Sequence, residues 1–222
     1  NDSSRSYDSL IVFFNYFKKT QDNSEYSLSK NILYDNVTYR ASAKYALEYL
    51  MNRIAYFYFN VEKDTVKSLD LMAYGRKNFP NNSGIWFDSG WYFYQLKDYK
   101  SAFDCYYYIL ENHSITKAYK NDLLRNISTL AFELGFWEKL IEVNTIRLEL
   151  DPNNFQVYRN LATGYYSSGK KEKSIEYYKK LIQLGGGKAE AFTNIMKVYY
   201  NIGKYTEAIN YGEKAIVSIK SY

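Results

Sequence analysis

The chain has 222 residues, 46% of them apolar, with 27 Tyr, 13 Phe and 3 Trp but only 2 Pro, so an architecture of many short strands and tight turns is excluded in favour of long helices. Its net charge of +5 comes from 29 basic and 24 acidic residues scattered without a basic run, so neither a nucleic-acid patch nor a nucleic-acid partner is expected. The single cysteine, Cys105, excludes an internal disulfide framework, and no stretch approaches the roughly 18 to 20 apolar residues of an integral membrane span.

Residues 7–19 read as an amphipathic helix with Leu10, Phe13, Phe14 and Phe17 on one side, and the polar residues 20–29 read as a loop. Residues 1–41 stand apart from the rest because they do not share the period found downstream. Capping the first helical hairpin is their expected role, with a partner-binding or membrane-surface helix as the alternative.

Downstream, several residue types recur at one stride. Gly135, Gly169 and Gly203 are 34 residues apart, as are Asn126, Asn160 and Asn194, then Ile127, Leu161 and Ile195, then Leu124, Tyr158 and Phe192. A fixed period of this length marks a stack of similar units. In the last window, Phe192, Ile195 and Tyr199 form one apolar stripe, and Ala208, Ile209, Ala215 and Ile216 form a second. Gly203 between them supplies a left-handed helix cap, and Ala208 allows close helix approach. Each unit is therefore a helix, a tight turn and a second helix.

Five windows follow in chain order: 49–82, 83–116, 121–154, 155–188 and 189–222. The first is the most divergent, yet its end, Phe79-Pro80-Asn81-Asn82, echoes Asp151-Pro152-Asn153-Asn154. The second carries Trp86, Gly90, Tyr99, Ala102 and Tyr106. Four extra residues, 117–120, precede the third. Four residues are about one helical turn, so the insertion lengthens a helix while keeping its face.

This pattern resembles the tetratricopeptide repeat. Phe192, Ile195, Tyr199, Gly203, Ala208 and Ala215 follow the family order of large, aliphatic, aromatic, turn glycine, small, small. Tyr158, Leu161, Ala162, Tyr165, Gly169, Tyr178 and Leu181 match in the preceding window. Leu124, Ile127, Gly135 and Pro152 match in the window before that, where Leu140 and Arg147 replace small residues. The resemblance implies an all-α, right-handed superhelical solenoid of antiparallel helix hairpins over residues 42–222, with an N-terminal capping helix.

Catalytic chemistry is not expected. His113 is the one histidine and is expected in a surface loop, with no nucleophile paired to it. No Cys and His cluster suits zinc. Gly185-Gly186-Gly187-Lys188 fails as a phosphate loop, because Ile182 and Ala189 stand where that motif needs Gly and Ser or Thr. An inter-repeat turn is the better reading. Cys105, among aromatic neighbours, is expected to be a buried, inert thiol. No cofactor or metal is expected.

The resemblance implies that the first helix of each hairpin lines a concave groove. Expected groove residues are Arg53, Phe57, Phe87, Trp91 and Tyr94 in the early windows. Later windows contribute Arg125, Asn126, Thr129, Arg159, Asn160, Thr163, Tyr166, Asn194, Lys197 and Tyr200, with Phe132 beside them. An amide offers a donor and an acceptor together, which suits an extended peptide backbone. The expected partner is another protein or peptide segment with apolar anchors and some acidic character. The family's carboxylate clamp of paired lysine and asparagine is not matched, since Arg125 with Thr129 and Arg159 with Thr163 stand there.

The alternative function is an assembly subunit of a cell-envelope complex, associating through the N-terminal helix and the terminal faces. Homo-oligomerisation through the C-terminal face belongs to that reading. The Lys, Asn, Ile, Tyr and Phe bias points to an AT-rich, bacterial genome. With Asn1 in place of an initiator Met, it favours the cell envelope or periplasm over the cytoplasm.

Overall fold

The structure, a computed structural model, describes Ile11, residues 32–34 and 37–39, and residues 43–220. Two short strands, β1 (Ile32–Tyr34) and β2 (Val37–Tyr39), pair antiparallel in the register Ile32↔Tyr39, Leu33↔Thr38 and Tyr34↔Val37. The all-α expectation has no place for this hairpin. Its signal was nonetheless present: β-forming Ile32, Tyr34, Val37 and Tyr39 flank the turn-forming pair Asp35-Asn36. The loop expected at 20–29 and the helix expected at 7–19 lie outside the described residues, apart from Ile11, which is helical.

From residue 43 onward the described elements are helices, which pack as two compact units, residues 1–113 and 114–222. The first unit holds α1 (Ala43–Phe57), a π-helical turn (Tyr58–Glu62), α2 (Thr65–Asn78), α3 (Ser83–Gln95) and α4 (Tyr99–Asn112). Its core is built from Leu50, Met51, Ile54 and Ala55 of α1 against Met72, Phe79, Ile85 and Tyr92, with Ile11, Phe59 and Trp91 packed at the edge. Ser68 donates its hydroxyl to the Ala55 carbonyl at 3.0 Å, so α2 is tied to α1 by a buried hydrogen bond.

The second unit holds α5 (Lys117–Glu133), α6 (Trp137–Leu150), α7 (Phe155–Ser167), α8 (Lys171–Gln183), α9 (Lys188–Asn201) and α10 (Tyr205–Lys220). Each helix packs on the next in sequence. The four extra residues 117–120 form the first turn of α5, which runs 17 residues. The inserted turn thus lengthens a helix, as its length predicted.

Turn chemistry explains where the helices stop. At Gly135, Gly169 and Gly203 the backbone is left-handed, with φ of 68°, 81° and 77°. At each, the following N–H donates back over the helix end: Phe136 to Ala131, Lys170 to Tyr165 and Lys204 to Tyr199. These bonds satisfy carbonyls that the helix leaves unpaired. The first unit makes the same bond, Asp98 to Phe93, around Lys97, a lysine at φ 61°.

The two proline-asparagine echoes also acquire a structure. Asn82 Oδ1 accepts from the Ile85 N–H at 3.2 Å, and Asn154 Oδ1 accepts from Gln156 N–H at 3.1 Å, so both cap helix N-termini. Six residues after each proline an aromatic donor returns to the proline carbonyl: Trp86 Nε1 to Pro80 at 3.0 Å and Tyr158 Oη to Pro152 at 2.9 Å.

Candidate functional site

In the second unit, α5, α7 and α9 are the first helices of their pairs and carry the expected groove residues. Four exposed or half-exposed rows cross them at the 34-residue stride: Asp122, Gln156, Glu190; Arg125, Arg159, Thr193; Thr129, Thr163, Lys197; and Phe132, Tyr166, Tyr200. Side chains bridge α7 to α9 within these rows. Arg159 donates to Glu190 at 2.8 Å and to Gln156 Oε1 at 2.8 Å, and Asn201 donates its amide to the Tyr166 hydroxyl.

The rows are partly self-compensated. Arg125 pairs with Asp122 at 3.1 Å on the surface, a bond of small net value in water. Thr129 donates to the Arg125 carbonyl at 3.1 Å, while Thr163 lies 3.4 Å from the Tyr178 hydroxyl. Lys197 and Tyr200 are exposed, Tyr200 at 64%, and Phe132 is 45% exposed beside Trp137.

The asparagine ladder divides. Asn160 donates its amide to Ser128 Oγ at 2.9 Å and accepts from Gln156 at 2.8 Å. It therefore ties α7 to α5, so part of its hydrogen-bonding capacity is spent within the fold. Asn126 and Asn194 are half-buried, and their side chains form no hydrogen bond among the described residues.

Ser128 belongs to a polar network that the sequence reading did not find. Asn144 donates to Ser128 Oγ and to the Leu140 carbonyl, both at 2.8 Å, and Arg147 donates to Asn144 Oδ1 at 3.1 Å. Arg147 is 5% exposed, and its Nε has no partner among the described residues. Burial, reinforced by Arg125, lowers its pKa. The signal lay in the period: 34 residues on from Ser128, Asn144 and Arg147 stand Ala162, Tyr178 and Leu181.

In the first unit the expected residues separate by burial. Phe57 is 5% exposed and belongs to the interior, which corrects its reading as a groove residue. A large apolar ring gains more from burial than from display. Trp91 packs against the core beside Phe59 and Tyr92, at 5.7 and 5.2 Å between ring centres. Phe87 stacks obliquely on Tyr106, Arg53 is half-buried, and Tyr94 is 42% exposed. Nearby, burial pushes the Asp88 carboxyl up to about 6.

The groups singled out for chemistry are placed quietly. Cys105 is buried, and burial pushes its thiol up to about 11, so it is protonated and inert. His113 caps the end of α4 with its ring against Tyr108. Gly185 and Gly187 hold the turn between α8 and α9 at φ 87° and 46°. Among the described residues, no group of three metal-ligating side chains converges, and no helix is long and apolar enough to cross a membrane.

No family model matches the chain, and no curated protein matches it. Solved structures do. YrrB, a TPR protein with an unusual peptide-binding site, is similar at 14% identity, a TM-score of 0.59, and coverage of 92% of this chain and 90% of YrrB. The fold is the tetratricopeptide-repeat fold. MamA is similar at 19% identity and a TM-score of 0.55, over 72% of this chain and 91% of MamA. MamA of Desulfovibrio magneticus RS-1 follows at 15% identity and 0.56, over 78% and 95%. α5, α7 and α9 are the first helices of successive helix pairs, and each carries one member of every row.

Proposed function

We propose that the chain is a non-enzymatic protein-interaction module, whose rows on α5, α7 and α9 receive a segment of a partner protein. Residues 42–222 are assigned to an array of about five repeats, with residues 1–41 outside it. The observation that carries the reading is the spacing of the rows. Arg125, Thr129 and Phe132 on α5, and Lys197 and Tyr200 on α9, are exposed although the core does not need them. Phe132 and Tyr200 offer apolar anchors, while Arg125 and Lys197 offer charge for an acidic partner. In the first unit Tyr94, 42% exposed, offers a similar anchor.

The peptide-binding site of YrrB supports this reading by likeness of fold. Arg159 is less available than the sequence implied, because Glu190 holds it. Charge reversal at Arg125 and Lys197 is therefore the cleaner probe. Arg125→Glu with Lys197→Glu is expected to abolish capture of the partner from a lysate of the native host, with unchanged helicity by circular dichroism. Undiminished capture by that variant contradicts the reading.

A further inference from the structure

The repeat supplies its own control for the polar network around Arg147. At this position the other four windows carry Gly75, Ile109, Leu181 and Ala215, all buried and none charged. At the position of Asn144 they carry Met72, Tyr106, Tyr178 and Gly212. Neighbouring helix pairs close without an amide and a guanidinium at these places, so stacking does not require them.

The network holds the guanidinium in place and leaves its charge unanswered. Arg147 is 5% exposed and donates Nη1 to Asn144 Oδ1 at 3.1 Å. The Asn144 amide is itself fixed, donating to Ser128 Oγ and to the Leu140 carbonyl at 2.8 Å, and Asn160 of α7 approaches the same Oδ1 at 3.4 Å. Nε of Arg147 is sealed from solvent and unpartnered. Nη2 forms no hydrogen bond among the described residues either, but it is not sealed, so one donor of the head group is open to a ligand. The charged groups that act on it are Arg125 of α5 and Asp151 at the end of α6. Asp151 forms no ion pair with it and accepts instead from Asn154 Nδ2 at 2.9 Å. Taking a charge out of water without a counterion is costly, and buried cations are ordinarily paired. Groups whose ionisation is opposed by burial concentrate at functional sites.

We propose that Arg147 receives a carboxylate of the partner segment at its open Nη2, with Arg125 adding positive field from α5. The inference rests on the reading of α5, α7 and α9 as the helices that receive a partner, and it names the chemistry that one place beneath them selects. A carboxylate supplies the counterion that the fold withholds. Its bond to a guanidinium is charge-assisted and stronger than one from a neutral amide. The carboxylate comes from an Asp or Glu side chain or from a chain terminus. Ser128 and Asn144 are positioning residues, since they hold the guanidinium and leave the ligand to Arg147.

The test follows the Arg147 Nε–H resonance of the nitrogen-15-labelled full chain by NMR, identified by its loss in Arg147→Met. The probes are N-acetylglycine for a terminal carboxylate, N-acetylaspartate α-amide for a side-chain carboxylate, N-acetylglycinamide as the neutral counterpart and chloride as the simple anion, all at one ionic strength. A saturable shift is expected with at least one carboxylate, at an affinity roughly tenfold that of chloride, and none with the neutral amide. Response to N-acetylglycine alone assigns a chain terminus, response to the aspartate derivative alone assigns a side chain, and response to both assigns the carboxylate whatever its source; each upholds the proposal. No shift with either carboxylate, or an equal shift with chloride, which marks an adventitious ion only, overturns it. Arg147→Met is also expected to reduce capture of the host partner by roughly tenfold while its denaturant midpoint does not fall, a combination that a merely structural role does not give. Capture kept by Arg147→Met but lost by Arg125→Glu with Lys197→Glu overturns this inference alone. Capture kept by both variants overturns the interaction-module reading with it.

Discussion

Asn160 reaches across from α7 to donate to the Ser128 hydroxyl of α5 at 2.9 Å, joining the first helices of two successive repeats. Its equivalent Asn194 makes no such bond among the described residues. One residue type at one repeat position therefore serves packing in one hairpin and stays available in the next. Asn160→Ala is expected to lower stability by about 1 kcal/mol, the ordinary value of a part-buried hydrogen bond. Asn194→Ala is expected to change stability by less than about 0.5 kcal/mol. Urea denaturation followed by circular dichroism measures both.

Arg147 is buried and donates to Asn144, and among the described residues it forms no ion pair with a carboxylate. Desolvating a guanidinium without an ion pair is unfavourable, and replacing such a charge by an apolar side chain of similar volume is often stabilising. The next repeat holds Leu181 at this position, fully buried. Arg147→Met is expected to raise stability by on the order of 1 kcal/mol. Arg147→Lys keeps the buried charge, loses the planar donor and is expected to lower it. The denaturant midpoint reports the sign of each.

The period of 34 made the helix pairs legible because packing in a stack is a nearest-neighbour matter: each hairpin meets the same environment and keeps the same residue types. Gly135, Gly169 and Gly203 announced their turns because few other residues enter the left-handed region cheaply. Lys97 concealed the corresponding turn in the first unit for the same reason. The site was only partly legible. Periodicity places a residue on a helix but does not say which neighbour consumes its polar groups. Arg159 is held by Glu190 31 positions away, and Asn160 by Ser128 32 positions away, so both lost availability through contacts that no local spacing reveals. Phe57 was misread because a ring at helical spacing looks the same in sequence whether it faces core or solvent.

Asp88 gives the first unit a pH dependence of definite sign. Burial raises its carboxyl from 3.8 to about 6, so the folded chain holds this proton more tightly than the unfolded chain. Its stabilising contribution is complete below about pH 4 and is lost as the pH rises through about 6. Asp88→Asn removes the charge and is expected to be more stable than the unaltered chain at pH 7.5, by on the order of 1 kcal/mol. At pH 4 the two are expected to coincide. Thermal melts across this range check the crossover.

Lys97 adopts φ 61° at the end of α3, where three other repeats use glycine. A left-handed backbone is unfavourable for a residue with a Cβ by roughly 1 kcal/mol. Lys97→Gly is expected to raise the melting temperature of the first unit, while Gly169→Lys is expected to lower that of the second. Differential scanning calorimetry of the two variants reads both shifts.

The most direct test of the interaction-module account is site-specific photocrosslinking in the native host. Benzoylphenylalanine replaces Phe132, exposed on α5, in one chain and Glu176, exposed on α8, in another. The account predicts a discrete adduct with a partner protein from position 132 and none from position 176. Adducts from position 176 alone, or the same adducts from both positions, would contradict it.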